Sequence, residues 1–165
     1  MRIGIGHDTH RLAAGGPLRL GGIDYACDSH LVGVSDADVL LHAVTDALLG
    51  AAALGDIGDW FPDSDPQNRG RDSAEMLRLA HDACRQAGYR IANLDCIVFA
   101  ERPKLGSQKR RMAEQIGSIL AISPRKVSVK AKTGEGLGSV GRGEAMMAEC
   151  IVLLEEWDQA EDLKS

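Results

Sequence analysis

Asp38-Val39-Leu40-Leu41-His42-Ala43-Val44-Thr45-Asp46-Ala47-Leu48-Leu49-Gly50, continued to Leu54, reads as one helix rich in Ala and Leu, with Gly55 placed to cap its end. Asp38, His42 and Asp46 recur at four-residue spacing and therefore share a face, while apolar side chains fill nearly every other position. A polar stripe on so apolar a helix is not a solvated surface. It either lines a site or belongs to a satisfied internal network.

Upstream, Met1-Arg2-Ile3-Gly4-Ile5-Gly6-His7-Asp8-Thr9-His10 reads as a strand with Ile3 and Ile5 on one face, turning polar towards its end. Gly15, Gly16, Gly21 and Gly22 mark a turn-rich region around a short strand from Leu18 to Leu20. Downstream, Asp72-Ser73-Ala74-Glu75 has the form of a capping box opening a second helix through Gln86, closed by Gly88. Leu94 to Ala100 reads as a strand and Gln108 to Leu120 as a third helix, stopped ahead of Pro124. Val127, Val129 and Ala131 alternate with polar residues, the mark of a strand with one dry face. The apolar run from Ala145 to Leu154 fits a helix or a strand by length, and Ile151, Val152 and the Gly-rich lead-in favour a buried strand. These elements predict an α+β fold: a mixed four-stranded sheet with helices on one face, in one domain over residues 1–157 with a C-terminal tail at 158–165.

Composition sets outer bounds. A chain of 165 residues that is 44% apolar buries one ordinary core. It has neither a spanning run of about 18 apolar residues nor a signal-peptide pattern, so a cytoplasmic protein is expected. Cys27, Cys84, Cys96 and Cys150 lie far apart with no Cys-x-x-Cys pair, which leaves them as reduced, structural thiols. A net charge of −5 offers no global attraction for nucleic acid or an anionic membrane. An anionic substrate would have to be met by local cations or bound metal.

Asp8 and His10, two apart on extended backbone, project to one side and can present a carboxylate oxygen and an imidazole nitrogen to a single ion. His42 completes a set of three. Three protein ligands with an open fourth position are the pattern of a catalytic zinc. Two His and one carboxylate also form the facial triad of a non-haem iron oxygenase, and a non-catalytic zinc-binding trimer is a third reading. An Asp-x-His pair also occurs as ordinary hydrogen bonding, and His7, His30 and His81 receive no role. His81 is expected at the surface or on the cap side of its helix, and His30 in a loop.

Three further stretches add chemistry. Gly55-Asp56-Ile57-Gly58-Asp59-Trp60-Phe61-Pro62-Asp63-Ser64-Asp65-Pro66 is an acidic loop suited to accepting hydrogen bonds from a polyol, or to bonding its own backbone in Asx turns. Ala100-Glu101-Arg102-Pro103-Lys104 leaves a strand end where backbone groups can read a base edge and Lys104 can face a phosphate. Lys130-Ala131-Lys132-Thr133-Gly134-Glu135-Gly136-Leu137-Gly138 combines donors, a flexible backbone and one carboxylate, a set suited to a diphosphate with its own divalent ion.

With the Gly4-to-His10 opening, the run from His42 through Asp56-Ile57-Gly58 to Pro66, and Gly141-Arg142-Gly143-Glu144, the chain resembles the 2-C-methyl-D-erythritol 2,4-cyclodiphosphate synthase family of the non-mevalonate isoprenoid pathway. The resemblance implies zinc on Asp8, His10 and His42, and magnesium or manganese on Glu135. It implies substrate contacts from Ser35, Asp56, Gly58 and Asp63. A cytidine and phosphate pocket follows from Ala100, Pro103, Lys104, Ala131, Lys132 and Thr133. It further implies a homotrimer whose active sites lie between subunits, with Ser139, Arg142 and Glu144 at an axial cavity where each Arg142 pairs with Glu144. The chain departs from the family pattern at Val34, where His is usual, at Lys132, where Thr is usual, and at Ser139, where a large aromatic is common.

Overall fold

Gly4 and Gly6 determine how closely the long apolar helix can approach the sheet. A Cβ at Gly4 would stand 2.1 Å from the Ala47 carbonyl oxygen, and one at Gly6 would stand 2.0 Å from that of Ala43. The computed structural model describes residues 1–157. The tail at 158–165 lies outside the described residues.

Strand β1 spans Arg2–Ala14, and a hairpin of β2 (Leu18–Leu20) and β3 (Ile23–Tyr25) forms a separate two-stranded sheet. Strand β4 (Ser29–Val32) returns antiparallel to the far half of β1. Helices α1 (Val39–Ala52), α2 (Ile57–Trp60) and α3 (Ser73–Gln86) follow, then β5 (Tyr89–Phe99), α4 (Lys109–Ile119), β6 (Val127–Lys132), α5 (Gly138–Gly141) and β7 (Ala145–Glu156). The main sheet runs β4-β1-β7-β5-β6, antiparallel except for the β5–β6 pair.

The sheet therefore has five strands, not the four expected. The fifth is β4, whose short polar Ser29-His30 start carries no alternation of its own and becomes a strand only because β1 runs on to Ala14 and offers it an edge. His30 consequently sits on a strand rather than in a loop. Ala145 to Leu154 is a strand, as read, and occupies the centre of the sheet between β1 and β5.

Register divides the sheet into two unlike faces. Gly6, Cys150, Cys96 and Val129 fall in one transverse row, as do Asp8, Ala148, Val98 and Ala131; both rows face the helices. Leu40, Leu48, Leu77, Met112 and Ile116 close over that face with no exposure. Side chains of the alternate parity point the other way, where Ile3 is 72% and Ile5 68% exposed beside Ile151. These isoleucines form an exposed apolar patch, beside which His7 and Glu149 pair across the same face.

Local details correct two expectations about caps. Helix α1 ends at Ala52 with Ala53 in the left-handed region (φ 58°), two residues before Gly55. Asp72 caps α3 through the Ala74 amide, while the reciprocal box is found at α2, between Asp56 and Asp59. Glu75 pairs with Arg71 instead. His81, expected at the surface, is buried, and burial pushes its imidazole pKa below the ordinary value. All four cysteines are free, three of them buried.

Candidate active site

The polar stripe of α1 divides into the two possibilities its sequence left open. Asp38 is an internal anchor: fully buried, it accepts from the amides of Gly21, Gly22 and Leu41 and so ties the β2–β3 hairpin to the helix start. Asp46 accepts from the Ile57 amide and fixes the entry to α2. His42, between them, faces the end of β1.

There three donor atoms converge. His42 Nδ1 lies 2.9 Å from Asp8 Oδ2 and 3.0 Å from His10 Nε2, and His10 Nε2 lies 3.1 Å from Asp8 Oδ2. The far side of each ring decides what the near side offers. His10 Nδ1 donates to the Val32 carbonyl at 3.0 Å, leaving Nε2 with its lone pair. Ser73 donates its hydroxyl proton to Asp36 in a short contact, so it accepts from His42 Nε2 at 2.8 Å, leaving His42 Nδ1 bare. Ser35 Oγ also lies 3.1 Å from His42 Nε2. Two imidazole lone pairs and a carboxylate aimed at one point repel one another unless a cation or proton joins them. Tetrahedral zinc, with bonds of about 2.0–2.1 Å, would set its ligand atoms about 3.3 Å apart. The observed triangle needs to open only slightly, so the donor set fits a divalent ion.

Electrostatics agree with this geometry. Burial alone would raise the Asp8 carboxyl, but hydrogen bonds and charge from His10 and His42 hold it well below the usual carboxylate range. His10 moves up: burial disfavours its charge, and its bond to Asp8 outweighs that. A relay runs from Asp36 through Ser73 to His42, and no local pattern in the sequence marks it. Ser73 lies 31 residues from His42, and the sequence around it signals only a helix cap. Ala37 (φ 58°) makes the turn that lets Asp36 and Asp38 both reach inward.

The triad opens into a cavity of about 750 Å³ that Val34, Ser35, Gly58, Phe61 and Asp63 also line. Ser35, Gly58 and Asp63 thus stand beside the triad. Asp56 instead accepts from the Asp59 amide as the cap of α2, the backbone-bonding alternative for that loop.

At the opposite edge of the sheet, Ala100, Lys104, Ala131, Lys132 and Thr133 line a second cavity of about 240 Å³, together with Leu105, Gly106 and Lys109. Pro103 lines a neighbouring groove instead, with Lys104 shared between the two. Glu135 is exposed and accepts from the Thr133 hydroxyl at 2.5 Å. Arg142 and Glu144 form a two-pronged pair at 2.9 Å, and Ser139 lies in α5 just before them. Asp8 and Ala131 share a transverse row, but three strand spacings separate them, about 14 Å.

Fold and site together define a class: an α+β domain whose sheet carries a candidate divalent-metal centre of Asp8, His10 and His42 at one end. The YgbB family model matches residues 1–155, and the chain belongs to that family. It is 52% identical to the 2-C-methyl-D-erythritol 2,4-cyclodiphosphate synthase of Desulfatibacillum aliphaticivorans over 155 residues, covering 94% of this chain and 100% of the relative. To the synthase of the same name from Rhodopirellula baltica it is 50% identical, covering 93% and 92%. A CDP-bound structure of 2C-methyl-D-erythritol-2,4-cyclodiphosphate synthase superposes with a TM-score of 0.86 at 36% identity, covering 93% of this chain and 100% of that one. The bifunctional IspDF of Campylobacter jejuni gives 0.92 at 39% identity, covering 95% of this chain and 42% of that longer one. These relatives place the chain among enzymes of the cyclodiphosphate synthase class and do not favour an oxygenase.

Proposed function

We propose that the protein converts 4-diphosphocytidyl-2-C-methyl-D-erythritol 2-phosphate into 2-C-methyl-D-erythritol 2,4-cyclodiphosphate and CMP. The observation that carries this reading is the convergence of three lone-pair donors on one point in a member of this family. The substrate's own 2-phosphate oxygen forms a bond to the β-phosphorus. The bond from that phosphorus to the bridging oxygen of the α-phosphate breaks, and CMP departs with the electron pair. No protein nucleophile is needed, so the chain's task is alignment and charge neutralisation. Asp8, His10 and His42 would hold zinc, and Glu135 magnesium or manganese; bound there, the ions would supply Lewis-acid stabilisation of negative charge on phosphate.

The remaining roles belong to side chains. Ser35, Gly58 and Asp63 hold the polyol beside the triad. Lys104, Lys132 and Thr133 hold the nucleotide phosphates, with Ala100 and Ala131 walling the base and Pro103 and Asp56 shaping the adjoining loops. Because Asp8 and Ala131 stand about 14 Å apart across the sheet, with Ala148 and Val98 buried between them, the complete site of this proposal joins the metal end of one copy to the basic end of the next. A homotrimer closed through the bare apolar face supplies that arrangement, with Ser139 and the Arg142–Glu144 pair near its axis. One domain over 1–157 and a cytoplasmic setting belong to the same proposal; no helix among the described residues is long and apolar enough to cross a membrane.

Incubating the purified protein with this substrate, zinc and magnesium tests the reading. We expect stoichiometric CMP and cyclic product by phosphorus NMR, both abolished by chelation. Zinc-loaded protein that releases no CMP would overturn it.

A further inference from the structure

Charge is distributed unevenly along this acidic chain. Residues 101–132 hold nine of its 19 Lys and Arg residues and only two of its 24 Asp and Glu residues. In the fold that stretch is the loop after β5, helix α4 and edge strand β6, so the cations gather at the end of the sheet away from the triad.

Three lysines reach the cavity of about 240 Å³ there: Lys104, Lys109 and Lys132. They are not equivalent. The Lys104 ammonium lies 3.8 Å from Glu101, a carboxylate that also accepts from the Gly134 amide. Lys109 and Lys132 have no carboxylate within 4.0 Å among the described residues. The next cation along α4, Arg110, is turned to Glu114 at 2.8 Å. Lys109 also lines a second cavity, together with Arg110, Glu114 and Arg125, and is thus shared between two recesses. A small cavity walled by one neutralised and two uncompensated ammonium groups is repulsive when empty and calls for a polyanion.

We infer that Lys109 is a further substrate-positioning residue, which binds the phosphate charge of the nucleotide held in this cavity and so sets ground-state affinity. The inference rests on the proposed nucleotide function of that cavity. Lys109 is the first residue of α4, so its backbone is anchored on a helix while its exposed side chain lines the recess. It touches nothing at the metal triad. Its contribution should be equal in the bound substrate and in the transition state, affecting KM and leaving kcat alone.

Calorimetry on the metal-loaded protein, with CDP and uncharged cytidine as probes, tests this. Lys109→Met is expected to weaken CDP about tenfold, the worth of one charge-assisted bond. Cytidine binding should be unchanged, and Lys109→Arg should restore CDP affinity to within about twofold because the charge is kept. In turnover, KM should rise by the same factor as the CDP dissociation constant. If wild type binds no CDP, the nucleotide reading of the cavity fails and this inference with it. If wild type binds CDP and Lys109→Met binds it equally well, the inference about Lys109 fails alone. Equal weakening of CDP and cytidine would also overturn it, because Lys109 would then act on the cavity's shape rather than on phosphate.

Discussion

The two ends of the central sheet carry opposite chemistry on the same face. At the β1 end, a carboxylate and two imidazoles converge, with the acidic 56–65 loop beside them. At the β6 end, three lysines share one small recess. The two ends also differ in how rigidly they are built. Each ring of the triad is fixed on its far side, by the Val32 carbonyl or by Ser73, whereas the lysines are long stems with little to hold them. One end is organised for coordination, which tolerates errors of a few tenths of an ångström at most, and the other for attracting charge, which acts over several. Under the proposed function both ends serve one phosphate-bearing nucleotide, and the predictions below test whether a single chain or two copies supply them.

The largest effect should come from the triad. His42→Ala is expected to reduce bound zinc from about one equivalent per chain to nearly none and to abolish turnover, by elemental analysis and CMP release. Mixing that inactive variant with one disabled at the other end, Lys104→Ala/Lys132→Ala, sharpens the point. Randomly reassembled trimers should regain about a quarter of the sites, because each intact site takes its metal end from one chain and its basic end from another. No recovery after verified subunit exchange would confine each site to a single chain.

Ser73→Ala comes next. It removes the nearer of the two hydroxyls on His42 Nε2, leaving Ser35 at 3.1 Å, and partners of this kind are worth about 10–100-fold in metal affinity or activity. Zinc titration of Ser73→Ala that superimposes on wild type would reduce the relay to packing. Gly6→Ala addresses the floor between the two ends: the added methyl meets the Ala43 carbonyl, and roughly 3 kcal/mol of stability should be lost in thermal or denaturant unfolding.

The smallest effect belongs to His81, far from either end. Its pKa is lowered by burial, so the folded chain resists its protonation. The stability contributed by the neutral ring is complete above the ordinary value of 6.5 and is lost as pH falls through the lower folded value. His81→Gln should flatten that part of the stability profile by no more than ~1.4 kcal/mol per pH unit, the limit for one proton. Parallel profiles for the two proteins would show that this imidazole is not protonation-coupled to folding.

Local pattern made much of this molecule legible. The two-residue period placed Asp8 and His10 on one face of a strand, and the four-residue period set His42 in a polar stripe on an apolar helix. Side-chain types then pointed to the candidate metal centre, and residues 131–133 of the charged, glycine-containing stretch 130–138 line the second cavity. What the sequence could not hold was which distant residues meet. Whether Asp38 or His42 faced the site depended on where the β2–β3 hairpin docked. Ser29–Val32 became a fifth strand only beside a β1 edge, and Ser73 joined His42 only because α3 packs on α1. His81 carries polar chemistry in a helical position that packing happened to bury. The physical reason is the same in each case: periodicity along the chain reports which side chains share a face, while the partner of that face is selected by tertiary packing between segments tens of residues apart.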